Sequence, residues 1–312
     1  SNIADAVYEK LEFGDRSQYL THLTTAELKK MNGNMLVDFH MHSTYSDGTK
    51  TPRELVNAAA AAGIAAIAVT DHDEITGGVE LIEAHDTPIP VIPGIEFSST
   101  YHGHDVHILG YAFDTKNKRM VDYIRFYKEE RRTRLLKMVE RCHEAGYDVS
   151  VAEFNKLYGT EGSFGRPHLA RMLIAKGYTS SVSEAFNTIL SPKSPCYVQK
   201  FNAHPADIVD IIHEAGGICI MAHPVLIHTA KDVNELLQLP FDGMEVYHSK
   251  QDDATSAQYR MMAKERGMLM SGGSDYHGIE GQPPLALGDF NIYADRVADF
   301  MKAVGLGRLL TQ

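Results

Sequence analysis

The stretch VDFHMHSTYSDGTKTP, residues 37–52, decides the fold: an apolar run leads into His40 and His42, and an Asp-Gly and a Pro follow at once. Side chains at i and i+2 of a strand share a face and lie about 6.5 Å apart along it. Two imidazoles so placed reach past the strand tip toward one point, at the roughly 2 Å distances of nitrogen–metal bonds. Asp38 has the same parity, one step deeper, where it is placed to orient a ligand imidazole from behind.

Outward from this pair, short apolar segments at Leu36–Phe39, Ala65–Val69, Val91–Ile95, Val106–Leu109, Ile218–Ala222, Met244–Val246 and Met268–Met270 read as buried strands. Helical patterns, as at Pro52–Ala62, Asp207–Ala215 and Ser256–Glu265, separate most of them, which predicts a mostly parallel sheet or barrel. Each strand ends in similar chemistry. VTDHDEITGG carries His72, PGIEFSS carries Glu96 and DVHILGY carries His107. Later come IMAHP with His223, MEVYH with His248, and SGGSDYHG, where Asp275 and His277 repeat the i, i+2 spacing. A lone histidine is ordinarily a satisfied core or surface residue. Recurrence changes that reading, because strand C-termini of a parallel α/β barrel converge on one face. Imidazoles and carboxylates gathered there need a counter-charge, which metal cations supply.

Residues 113–200 break the rhythm with helical patterns at Met120–Ala145, Val151–Tyr158, Arg166–Lys176 and Ser183–Leu190. They read as a helical insertion between two strands. Residues 116–141 hold ten Lys or Arg against four Asp or Glu, which makes either a solvated helix face or a surface that helps hold a phosphate-bearing substrate. The expected division is an N-terminal helical extension (1–34), a first barrel part (35–112), the insertion (113–200) and a second barrel part (201–312).

Composition sets outer bounds. The 312 residues are 44% hydrophobic and 23% charged, as in an ordinary globular chain. No apolar run approaches about 18 residues, so no membrane span is expected. The first residues lack a secretory pattern, and the three cysteines Cys142, Cys196 and Cys219 are widely spaced and odd in number. Both point to a reducing cytoplasm. A net charge of −11 argues against stable binding of duplex nucleic acid. The HGH at 102–104 reads as a surface turn, His143, His204 and His213 as structural, and Gly77-Gly78 and Gly216-Gly217 as turn or capping glycines.

DFHMHSTYSDG, AVTDHDEITG, PGIEFS, VHILGY, MAHP and GSDYHG, in this order, resemble the PHP (polymerase and histidinol phosphatase) family of metal-dependent phosphoesterases. The resemblance implies an α/β fold, a distorted (β/α)7 barrel with a helical insertion that caps two or three divalent metal ions. It implies that His40, His42, Glu96 and Asp275 hold one ion. Glu96 would bridge to a second held by His107 and His223, and Asp47, His72 and His277 would hold a third. Asp47 stands where some relatives have histidine. Mixed imidazole and carboxylate donors suit Mn²⁺, the first expectation, or Fe²⁺ or Zn²⁺.

SFGRPHLARMLIAKG and SPKSPCYV resemble the subgroup that removes phosphate from nucleoside 3′,5′-bisphosphates and trims short RNA from the 5′ end. This implies a nucleotide or short single-stranded RNA as substrate. It makes Arg166, His168 and Asp275 the expected catalytic groups, with a metal-bridging hydroxide as nucleophile. Arg166 and His168 would meet substrate phosphate, with Lys193 and the basic 116–141 segment as second contacts. His248 stays open between a substrate contact and a bystander. Histidinol-phosphate phosphatase and a non-catalytic metal-binding module are the alternatives. An amidohydrolase-type site lacks its bridging lysine here.

Overall fold

The computed structural model describes residues 35–311, so the expected helical extension at 1–34 lies outside the described residues. In chain order the elements are β1 (Leu36–Asp38), α1 (Pro52–Ala61), β2 (Ile64–Ala68), α2 (Thr76–Ala84), β3 (Val91–Ile92), β4 (Gly94–Tyr101) and β5 (His104–Tyr111). Four helices follow: α3 (Lys118–Glu144), α4 (Val151–Tyr158), α5 (Arg166–Ala175) and α6 (Val182–Asn187). Then come α7 (Pro205–Glu214), β6 (Ile218–Met221), α8 (Ala230–Leu236), β7 (Gly243–His248), α9 (Asp253–Glu265), β8 (Leu269–Gly273), β9 (Ile292–Tyr293) and α10 (Ala298–Ala303).

The fold is mixed α/β, with two sheets: β3-β2-β1-β9, and β4-β5-β6-β7-β8. Pairing is parallel for β1 with β2, β2 with β3, β6 with β7 and β7 with β8. The expectation of a mostly parallel sheet is corrected at β4-β5-β6 and at β1-β9, which are antiparallel. The cause is local. Only His102 and Gly103 separate β4 from β5, and both have positive φ, 49° and 78°. That is the two-residue hairpin geometry, and so short a connection cannot join parallel strands.

Where β1 and β2 run out, isolated parallel bridges join the sheets, Met41 to Tyr276 and His72 to Glu96. The strand tips of both sheets therefore meet. Between the sheets Phe300 packs edge-on to Phe39 and Tyr111, at centroid distances of 5.1 and 5.0 Å. The Tyr111 hydroxyl donates to the Phe39 carbonyl at 2.6 Å, pinning the backbone just before His40.

Helix starts follow the residues that signal them. Thr51 and Glu54 form a capping box over α1 with Pro52 in its first turn, and Asn117 caps the 27-residue α3. Gly77 and Gly78 are not turn glycines but lie in the first turn of α2. A side chain at Gly77 would come within 3.0 Å of the Asp71 carboxylate. Helices α3 to α6 enclose their own apolar cluster, including Leu135, Met138, Phe154, Phe164, Leu169 and Leu173. The three cysteines are buried and unbridged. Among the described residues no helix is long and apolar enough to cross a membrane.

Candidate active site

The His-Met-His stretch continues β1 with alternating faces. Met41 is buried on one side, while the His40 and His42 rings lie on the other with centroids 5.4 Å apart. Two glycines let the flanking chain approach. A Cβ on Gly273 would sit 2.1 Å from the His40 Cβ, and one on Gly48 would sit 2.0 Å from the His42 carbonyl oxygen. The loop 43–48 is drawn in by Asp71, whose carboxylate accepts from the Ser43 amide (2.7 Å), the Ser43 hydroxyl (2.6 Å) and the Ser46 hydroxyl (2.5 Å). That places Asp47 beside the histidines. Asp275 and His223 both sit at positive φ, 57° and 20°, a strain that clusters at functional sites when the surroundings enforce it. For Asp275 the enforcing contact is its amide donating to the His40 carbonyl at 2.8 Å.

All nine expected ligand residues converge. Donor atoms of His40, His42, Glu96 and Asp275 lie within 4.8 Å of one another, as do those of His42, Asp47, His72 and His277, and those of His72, Glu96 and His107. Glu96 is the hub. Its Oε2 is 3.1 Å from both His40 Nε2 and His42 Nε2, and its Oε1 is 3.0 Å from His107 Nδ1 and 2.9 Å from His223 Nε2.

The tautomers show what the cluster fits. His277 Nδ1 lies 2.8 Å from the Asp275 carbonyl, which only accepts, so Nδ1 carries the proton. In the neutral ring, Nε2 then turns a lone pair toward Asp47 Oδ1 at 3.2 Å. His40 repeats this pattern: Nδ1–H donates to Glu245 Oε2 at 2.8 Å, so Nε2 faces Glu96 at 3.1 Å and Asp275 Oδ1 at 3.3 Å. Buried His72 Nδ1 and His223 Nδ1 have no hydrogen-bond partner. Lone pairs aimed at carboxylates across a buried gap repel unless a proton or a metal cation lies between them. Imidazole and carboxylate donors are the set that Mn²⁺, Fe²⁺ and Zn²⁺ accept.

The titration tendencies show how strongly these acids seek positive charge. Burial opposes ionisation of Glu96, but the charges of His40, His107 and His72 outweigh it and hold the carboxyl well below the ordinary range. Asp47 and Asp275 are likewise held well below it against burial, Asp47 by His277 and His72, Asp275 by His40 and by hydrogen bonds from His248 and His42. Burial pushes His72 down to about 4. For His42 burial acts downward too, yet hydrogen bonds to Asp275 and Glu96 raise it to about 10. The site thus holds its acids ionised and draws cations toward them.

Three expected roles need correction. His168 is only 2% exposed and does not line the cleft. Its Nε2–H donates to the Ser46 carbonyl at 2.6 Å while Nδ1 accepts from the Gly165 amide at 3.0 Å, so one nitrogen ties α5 to the loop of Asp47 and the other caps the start of α5. Lys193 is exposed and outside the cleft, because the turn that carries it faces solvent. Asp38 orients main chain rather than an imidazole: its Oδ1 accepts from the His40 amide at 3.2 Å and the Ser274 amide at 2.9 Å. Burial raises its pKa to about 6.

His248 is buried behind Asp275. Its Nδ1 accepts from the Lys250 amide at 3.1 Å, leaving Nε2–H to donate to Asp275 Oδ2 at 3.3 Å.

Sequence reasoning missed Glu245, which is fully buried. It accepts from His40 through Oε2 and from the His223 amide through Oε1, each at 2.8 Å. An acid in the apolar strand GMEVYH was the available signal, since a buried charge requires a partner.

The cleft over the cluster is walled by Arg131, Arg134, Arg166, Lys200 and Lys250. Arg131 is anchored by Asp73 at 3.0 Å, and Lys200 by Asp105 at 2.9 Å. The Arg134 and Arg166 guanidiniums lie 5.2 and 5.8 Å from the centroid of the Tyr197 ring. Arg166 Nη1 donates to the Leu190 carbonyl at 2.9 Å, and Arg134 Nη2 is buried without a partner. Of the basic 116–141 segment, only Arg131 and Arg134 reach the cleft.

Acids and imidazoles held for cations beneath guanidiniums held for anions make a site suited to phosphate esters, and comparisons with known proteins point the same way. Residues 38–191 match the PHP domain family. The chain is 34% identical over 247 residues to a 5′-3′ exoribonuclease of Haemophilus influenzae, covering 77% of this chain and 89% of that one. It is 31% identical over 248 residues to a 3′,5′-nucleoside bisphosphate phosphatase of Chromobacterium violaceum, covering 77% and 87%. A structure from Bifidobacterium adolescentis, described as a metal-dependent phosphoesterase, aligns with a TM-score of 0.76 at 28% identity, covering 85% of this chain and 95% of that one. With its histidine and acid motifs gathered at one site and near full-length relatives at this identity, the chain belongs to the PHP family.

Proposed function

We propose that the protein is a metal-dependent phosphoesterase acting on nucleotides, as a nucleoside 3′,5′-bisphosphate phosphatase, a 5′-to-3′ trimming enzyme for short single-stranded RNA, or both. The observation that carries this is the stacking of two opposite demands in one cleft: an acid and imidazole floor, and the Arg134–Tyr197–Arg166 wall above it. In this reading the two sheets are halves of a distorted barrel, and residues 113–200 cap its open end.

His40, His42, Glu96 and Asp275 would hold one divalent ion, Glu96, His107 and His223 a second, and Asp47, His72 and His277 a third. Such ions supply Lewis acidity, lowering the pKa of water and neutralising charge on phosphoryl oxygens. The chain's own residues do the rest. Glu245 and His248 fix the proton positions on His40 and the rotamer of Asp275. Arg166, free to turn its remaining N–H groups outward, grips a phosphate in a planar fork. Arg134 adds its positive charge to the same wall. Pro167, Val182, Phe186 and Ile279 line the cleft with apolar surface that limits water around the ester.

Purified protein supplied with Mn²⁺ should release phosphate from adenosine 3′,5′-bisphosphate or shorten 5′-phosphorylated RNA, and should turn over histidinol phosphate far more slowly. Cleavage of neither nucleotide substrate by metal-loaded protein would end this reading.

A further inference from the structure

Two phenylalanines outside the cleft lining keep much of their surface in solvent, Phe126 at 44% and Phe201 at 43% exposure. Their rings meet edge to face at 5.1 Å, and the Phe201 ring is 6.1 Å from that of Tyr127. Phe201 directly follows Lys200, a cleft residue, on the irregular strap between α6 and α7. Tyr127 lies one helical turn before Arg131 and two before Arg134, so the three share a face of α3. The strap and helix together lay out one track. Guanidiniums around Tyr197 come first, then Lys200, then the Phe201–Phe126 pair.

The pair packs on itself and on Tyr127, yet each ring's residue keeps more than two fifths of its surface in solvent, and Lys200 beside it lines the cleft. Nucleic-acid chains present that alternation, a charged backbone with a flat π-face on each unit, and single strands bind where a basic groove runs beside aromatic rings. We propose that Phe201, backed by Phe126, is a stacking platform for a nucleobase one or more nucleotides beyond the one being hydrolysed. This makes single-stranded oligonucleotides, rather than mononucleotides, the substrate class that uses the full site. The proposal rests on the phosphoesterase reading above and adds to it a base subsite outside the cleft.

The test compares a 5′-phosphorylated trinucleotide with adenosine 3′,5′-bisphosphate in the Mn²⁺-loaded enzyme. Phe201→Ala should lower the ratio of kcat/KM for the trinucleotide over that for the bisphosphate by about tenfold, the scale of one lost base stack. Phe201→Tyr should restore the ratio. A trinucleotide abasic at its second and third positions should lose the same factor with the unchanged protein and no more with Phe201→Ala. A ratio unmoved by Phe201→Ala, or an abasic penalty that adds in full to the substitution, would overturn the platform. Should neither substrate be cleaved, the phosphoesterase reading fails instead. The platform is then judged by fluorescence anisotropy of a 3′-labelled trinucleotide, which Phe201→Ala must weaken and Phe201→Tyr must not.

Discussion

Glu245 shows how one side chain sets the chemistry of others. Each of its oxygens accepts one N–H, from the His40 ring and from the His223 main chain. Glutamine offers a single acceptor, so Glu245→Gln would face one of these donors with its own N–H₂. Because groups behind metal ligands fix their tautomer and basicity, the substitution should weaken Mn²⁺ binding about 10- to 100-fold. Isothermal titration of the metal checks this, and unchanged affinity would remove Glu245 from the site. The replacement His40→Ala should abolish both tight metal binding and turnover, and activity surviving it would contradict the assigned ligand set. At this scale the proposed ligands were legible because short motifs carry them, with the i, i+2 spacing of His40 with His42 and of Asp275 with His277 fixing a shared face. Glu245 was not, because a single acid in a strand announces burial only once the sheet around it is known. Arg134 was also hidden, since ten basic residues between 116 and 141 do not say which of them face inward.

At the scale of elements, His168 joins the start of α5 to the loop that carries Asp47. Its neutral ring has both nitrogens engaged, and burial lowers its pKa to about 4. The unfolded chain would take a proton near pH 6.5, whereas the folded ring resists until about pH 4. The contribution is therefore fully present above pH 6.5 and is lost as pH falls toward 4, to a total of about 3 kcal/mol. Urea unfolding at pH 7 and pH 5 should show a larger loss for the natural protein than for His168→Gln. Equal losses would mean that His168 is not held neutral. The motif around this residue was visible in the chain, but a histidine near a phosphate-binding arginine invites a substrate role. Only the positions of Ser46 and Gly165, far apart in sequence, reveal a structural one. The β4–β5 hairpin was misjudged for the opposite reason. Its His-Gly turn was plain, yet the rhythm of strands and helices suggested parallel pairing, and the two-residue connection outranks that rhythm.

For the whole molecule, the two sheets and the loops that leave them bring Asp47, Glu96, Asp275 and Glu245 into one buried volume. Acids crowded at such range favour whatever cation joins them, so metal ions compete with the imidazole protons there and stabilise the folded chain. Mn²⁺ should thus raise the melting temperature, by the equivalent of about 2.7 kcal/mol at a hundredfold excess over its dissociation constant. EDTA should reverse the shift, and a melting temperature indifferent to both would argue against a metal-binding interior. The convergence itself could be anticipated from six motifs in order, since strand ends of such folds gather on one side. The division into two sheets could not, because it depends on pairings between residues far apart in the chain. Most direct of all is anomalous diffraction at the manganese edge from crystals grown with Mn²⁺. Peaks ringed by His40, His42, Glu96 and Asp275, and by Glu96, His107 and His223, are the expected result. An empty floor, or ions bound only elsewhere in an active enzyme, would contradict it.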